Sequence, residues 1–149
     1  MIDELSAIAI EATNRVDLWC RLVRARGIRR MADVGVWRAG FAHRVLRDCP
    51  NIASYYMIDP WCPLARWNKP LNVSASVFAD AHRQAIDSTA FAASKVVVLR
   101  ETTSEVASGI SERSLDLAYI DGDHTLRGIT IDHPYDAAEN DPWRTDRGS

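Results

Sequence analysis

The sequence predicts an α/β fold built on an open, doubly wound, mainly parallel sheet. Three observations lead there. Four short runs, MADVGV, IASYYMID, KVVVLR and LDLAYID, are nearly continuous in apolar residues, which suits strands buried on both faces. The segments between them place apolar residues at steps of three and four, the spacing of helices packed on such a sheet. Three of the four runs also carry an aspartate or a glycine at their carboxyl ends, where open parallel sheets bind ligands.

In chain order, Leu5, Ile8, Ala12, Val16, Trp19, Leu22 and Val23 form one apolar stripe, which predicts a single amphipathic helix over residues 1–27 with Gly27 ending it. The run from Met31 then stops at Gly35, and Phe41, Val45 and Leu46 resume helical spacing before Pro50, giving strand, turn and helix. The β-branched and aromatic residues of IASYYMID favour a second strand, followed by a loop containing Pro60, Pro63 and Pro70. Ser74 is placed to cap a helix through Val77, Phe78, Ala81, Ala85 and Ile86. KVVVLR is the third strand, SEVASGI a short helix and LDLAYID the fourth strand. Right-handed crossovers between parallel strands complete the doubly wound arrangement. The tail over residues 134–149 loses periodicity and reads as irregular.

Bulk properties narrow the classes of function. A chain of 149 residues, 47% hydrophobic and 26% charged, suits one domain with one core. The 18 basic and 20 acidic residues give a net charge of −2, which supplies no general attraction to nucleic acid or to anionic membranes. The basic stretch from Arg21 to Arg30 reads as the solvated face and carboxyl end of a helix. Cys20, Cys49 and Cys62 form no close pair and read as reduced thiols. With no signal-like start and no run of ~20 apolar residues, the expectation is a cytoplasmic protein with no membrane partner.

Asp33, Gly35, Asp59, Ser104, Asp121, Asp123 and His124 all fall at or just past predicted strand ends. Gly35 permits close approach of a ligand to the backbone, and the helix that follows offers free N–H groups and a positive dipole end. An acid about twenty residues further on suits a ribose diol, and Asp59 lies 24 residues past Gly35. The pair points to an adenosine-containing cofactor. A plainer reading also fits, in which Gly35 makes a tight turn and Asp59 caps the segment ahead of Pro60. A nicotinamide-binding turn is poorly matched, because Asp33 and Arg38 stand where its outer glycines belong and a carboxylate repels pyrophosphate.

The segments ADVGVWRAGF, YYMIDPW and LDLAYIDGDHTLRG resemble three motifs of the class I S-adenosylmethionine-dependent methyltransferases, in the branch with Ile-Asp-Gly-Asp-His after the fourth strand. The resemblance spans residues 31–132 and implies a Rossmann-like core over residues 31–133. It implies that Asp33 and Gly35 meet the methionine end of the cofactor and that Asp59 holds the ribose. It also places the loop around Thr103 and Ser104 beside the adenine. Trp37 and Trp61, which directly follow these motifs, are grouped with the cofactor site, whereas Trp19, Trp67 and Trp143 read as packing residues. The sequence departs from the family's acid-x-Gly-x-x-x-Gly turn, with Ala39 at the last position and Gly40 beside it.

In that family the first acid of the IDGDH segment lies near the transferred methyl group, which makes Asp121 a candidate catalytic residue. His124, with an ordinary pKa near 6.5, is suited to act as general base. Two carboxylates and an imidazole are also ligands for a divalent cation, but a second carboxylate source normally follows the fifth strand, so a metal is not favoured. Asp121 and Asp123 alternatively cap a helix that begins near Thr125. No glycine turn, fifth strand or hairpin is discernible after Ile131, so the domain is expected to be shortened, with LDLAYID as an outer strand. An apolar outer strand invites pairing, and a homodimer is expected. The resulting reading is methyl transfer to an oxygen or nitrogen of a small molecule. The rival readings are a non-catalytic binding or assembly module of the same fold and, more weakly, a nicotinamide-dependent oxidoreductase fragment.

Overall fold

A computed structural model describes residues 2–65, 73–107, 109–110 and 114–121. The chain order is α1 (Ile2–Glu11), α2 (Arg15–Ala25), β1 (Arg30–Val34), α3 (Gly40–Asp48), β2 (Ser54–Ile58), α4 (Ala75–Thr89), a short 3-10 turn (Ala90–Ala92), β3 (Val96–Leu99), α5 (Thr103–Ala107) and β4 (Leu117–Ile120). All strand pairs are parallel, in the spatial order β3-β2-β1-β4. All four predicted strands form where the apolar runs lie, and the sheet is doubly wound.

The two faces follow from the strand period of two. Met31, Tyr55, Met57 and Tyr119 share one face with Asp33, and they pack against Cys20 and Val23 of α2, Ala42, Val45 and Leu46 of α3, and Phe78, Ala81 and Ala85 of α4. Ala32, Val34 and Ile58 take the other face, where Val106 of α5 covers them. Asp33 is therefore a polar residue on the more heavily covered face.

One expectation is corrected. The apolar stripe over residues 1–27 is divided into two helices, because Asn14 adopts extended backbone (φ −163, ψ 174) and its side chain accepts from the Asp17 N–H at 2.9 Å. Asp17 in turn accepts from the Thr13 N–H at 2.9 Å, so the two side chains satisfy backbone donors that a continuous helix would have paired internally. This reciprocal cap, Asn-x-x-Asp, is readable in the sequence but is hidden by the uninterrupted apolar spacing around it. At the other end of α2, Gly27 (φ 60) permits the paired bonds Gly27 N–H to Arg24 O and Ile28 N–H to Val23 O, which stop the helix.

The basic stretch behaves largely as expected. Arg21 pairs with Glu11 and Asp17, and Arg30 with Asp116, which also accepts from the backbone N–H groups of Arg29 and Arg30. Arg29, Arg30 and Asp116 border a groove of about 590 Å³ at the amino ends of the strands, lined also by Arg26 and Ser54. It lies at the opposite end of the sheet from the predicted site. No helix among the described residues is long and apolar enough to cross a membrane. The segment in which no fifth strand is expected, the helix near Thr125 and the tail fall outside the described residues, as do Trp67, Trp143, Asp123 and His124.

Candidate functional site

The carboxyl end of β1 leads into a tight turn. Gly35 takes φ 87, which glycine adopts without steric cost, and its N–H bonds to the Ile58 carbonyl across the sheet. Trp37 and Ala39 also lie in the left-handed region, at φ 54 and 61, as does Trp61 at φ 43. These three are the positive-φ non-glycine residues among the described residues, and all belong to this one cluster. Ala39 is the N-cap of α3 and makes no side-chain cap bond, so no side chain at the cap satisfies the first N–H groups of α3.

Asp59 holds the cluster together. Its carboxylate accepts from the Trp37 N–H at 2.9 Å and from the Trp61 N–H at 2.8 Å, and the Trp61 indole N–H donates to the Trp37 carbonyl at 2.7 Å. Burial raises the pKa of Asp59 above its ordinary value, and the backbone N–H groups of Trp37, Trp61 and Val36 oppose that rise. The structure thus places this acid inside the turn, 8% exposed, where it organises both loops. Two oxygens offer about four acceptor positions, so with these N–H groups in place acceptor capacity remains for a ligand. Trp61 is a core residue, 1% exposed, with its ring 4.9 Å from that of His82. Trp37 is partly exposed, meets Phe78 edge-on at 5.6 Å, and carries the Arg38 guanidinium over its ring.

Asp33 is also buried, at 2% exposure, and accepts from the Tyr55 hydroxyl at 3.0 Å. Burial pushes its pKa up to about 7; the Tyr55 bond opposes this, whereas the nearby Asp121 and Asp59 reinforce it. Asp121 follows β4 and sits at the rim, exposed, with its carboxylate 4.0 Å from the Arg15 guanidinium. Thr103 and Ser104 open α5 just beyond β3, where the Glu105 carboxylate accepts from both the N–H and the hydroxyl of Thr102. The strand ends therefore gather Asp33, Gly35, Trp37, Asp59, Trp61 and Asp121 into one neighbourhood, with Thr103 and Ser104 at the same end of the sheet.

Sequence reasoning missed three contributors: Tyr55, Tyr119 and Arg15. Each depends on a long-range pairing. Tyr55 reaches Asp33 through the β1–β2 register, Tyr119 lies directly opposite Asp33 in β4, and Arg15 reaches Asp121 from the first turn of α2. Among the described residues no group of three His, Cys, Asp or Glu side chains could hold a metal ion.

No curated protein matches the sequence. A family model described as a methyltransferase domain matches residues 33–139, from the acid that ends β1 through the segment beyond β4, which is most of the chain. With its parallel 3-2-1-4 sheet and its acid-and-glycine turn after β1, the chain belongs to this methyltransferase-domain family, of the class I type.

Proposed function

We propose that the chain binds S-adenosylmethionine across the carboxyl ends of β1, β2 and β4 and transfers a methyl group to an oxygen or nitrogen of a small-molecule acceptor. The observation that carries the reading is the turn from Gly35 to Ala39, which leaves the amino end of α3 uncapped beside two buried acids in a chain of methyltransferase type. The residues fit the cofactor's chemistry. A Cβ built on Gly40 would meet nothing within 4 Å, so space is open above the helix start. Asp33 and Asp121 suit a cationic aminoacyl end, Asp59 keeps acceptor capacity for a ribose, and the Trp37 ring is half-open at the edge.

The bound cofactor supplies a sulfonium-activated methyl group. The chain contributes position and shelter from water, which lower the barrier to an in-line displacement. In this reading Asp121 orients the acceptor at the rim, His124 removes its proton, and Thr103 and Ser104 border the adenine. A divalent cation is not favoured in this reading. The partners are a small acceptor and a second copy of the chain in a homodimer, with no nucleic acid or membrane, in the cytoplasm. The apolar residues Ile10, 84% exposed, and Leu5 on α1 and the outer position of β4 in the described sheet support the dimer.

Titration calorimetry tests the reading. S-adenosylhomocysteine is expected to bind at the micromolar level, about −8 kcal/mol, and NAD negligibly. No heat with S-adenosylhomocysteine on demonstrably folded protein removes the proposal.

A further inference from the structure

We infer that Tyr119 and Arg15 are the donors that hold the α-carboxylate of the cofactor's aminoacyl end, a step that rests on the cofactor reading above. Asn14 starts α2 at the ligand end of the sheet, so that Arg15 stands 4.0 Å from Asp121 at the end of β4. One turn further along α2, Trp19 meets the Tyr119 ring edge-on at 5.4 Å, while Phe41 of α3 stacks on it at 4.0 Å. Two aromatic rings from two helices thus fix the phenol in place.

Tyr119 is 8% exposed and lies opposite Asp33 on the same sheet face, yet its hydroxyl has no hydrogen-bond partner among the described residues. Tyr55, the other tyrosine on this face, spends its hydroxyl on Asp33. The Tyr119 hydroxyl is therefore available to donate to a ligand oxygen at the open end of the sheet. Burial and the neighbouring Asp121 carboxylate raise the phenol's pKa, so it stays a proton donor at neutral pH, while Arg15 acts in the opposite direction from the rim. Asp33 also influences it. The phenol therefore lies among two acids and one guanidinium.

That arrangement matches an α-amino acid end, whose ammonium and carboxylate branch from one carbon. The acids suit the ammonium, and the phenol with the guanidinium suits the carboxylate, to which arginine and a hydroxyl both donate.

Calorimetry on the full chain with two probes tests this. S-adenosylhomocysteine carries the aminoacyl end; 5′-methylthioadenosine keeps the adenosine and the sulfur but lacks it. Tyr119→Phe preserves the ring packing, and Arg15→Gln alters an exposed side chain, so both should fold with unchanged circular dichroism. Each is expected to weaken S-adenosylhomocysteine about tenfold and leave 5′-methylthioadenosine unchanged, with Arg15→Lys recovering part of the loss. Unchanged affinity for S-adenosylhomocysteine overturns the inference. Equal weakening of both probes also overturns it, because the residues would then act only through the fold. If the wild type binds neither probe, the cofactor reading itself fails and takes this inference with it.

Discussion

Asp59 offers the sharpest test of how the site is built. Its two oxygens accept from the backbone N–H groups of Trp37 and Trp61 in surroundings only 8% exposed. A hydrogen bond to a charged acceptor contributes about 1.5–3 kcal/mol, and removing the acceptor also orphans a donor. Both tryptophans sit in left-handed backbone, at φ 54 and 43, a conformation that costs a bulky residue about 1–3 kcal/mol and persists only when the surroundings enforce it. Asp59→Ala removes both acceptors and releases both strained residues, so a loss of about 3–5 kcal/mol is expected. That is a large share of the 5–15 kcal/mol typical of a domain. Asp59→Asn keeps one acceptor oxygen, turns an amide toward the other N–H, and is relieved of the burial of a charge, giving a smaller loss of about 1–2 kcal/mol. Urea unfolding followed by tryptophan fluorescence measures both, the midpoint giving stability and the slope confirming that the same surface is exposed. If Asp59→Ala lies within 1 kcal/mol of wild type, the acid does not hold the turn and is available wholly for ligand binding.

Three other outcomes are expected. Asp33 titrates near 3.8 in the unfolded chain and at about 7 in the fold, so the folded state binds the proton more tightly and stability falls as pH rises between about 4 and 7, by up to ~4 kcal/mol. Asp33→Asn should flatten that slope, with a higher urea midpoint than wild type at pH 8 and no advantage at pH 4; a difference independent of pH refutes the assignment. Gly40→Ala places a methyl in open space at a helical position and should raise stability by about 0.5 kcal/mol while weakening S-adenosylhomocysteine, because the cofactor is proposed to cross the start of α3. Sedimentation velocity at micromolar concentration should show a dimer that Ile10→Asp or Ala118→Asp dissociates, and a monomeric wild type removes the homodimer.

The fold was legible because its signals are local and redundant. Buried parallel strands leave apolar runs that survive any register, and Gly27 and Gly35 mark turns by conformations other residues avoid. The break at Asn14 was less visible, since a cap of three residues competes with an apolar stripe seven positions long. The site was legible only as a set of addresses. The positions of Asp33, Asp59 and Asp121 follow from where strands end, but their states depend on what the register brings beside them. Nothing near Asp33 in sequence announces that Tyr55 donates to it, nor does the motif around Asp59 reveal that its oxygens turn inward to two tryptophan N–H groups. Trp61 follows a site motif yet belongs to the core, since its indole N–H finds the Trp37 carbonyl instead of solvent.

Ala39 shows how these levels depend on one another. The family pattern calls for glycine where the turn enters α3, and the chain keeps the required left-handed backbone with an alanine, at φ 61 and fully buried. Gly40, one position on, is already helical, so it does not substitute for the missing glycine. The left-handed alanine costs about 1 kcal/mol, and its buried methyl returns about as much by leaving water, so the exchange is close to neutral in stability. What the turn needs is therefore less a glycine at position 39 than a constraint that keeps it from unwinding. The bonds from Asp59 to Trp37 and Trp61, and from Trp61 back to Trp37, supply that constraint from β2. The same clamp fixes the uncapped start of α3 relative to the strand ends before any ligand arrives. A turn so held would lose little conformational freedom on binding the proposed cofactor, so an aspartate that points into the protein would still strengthen the grip on a ligand outside it.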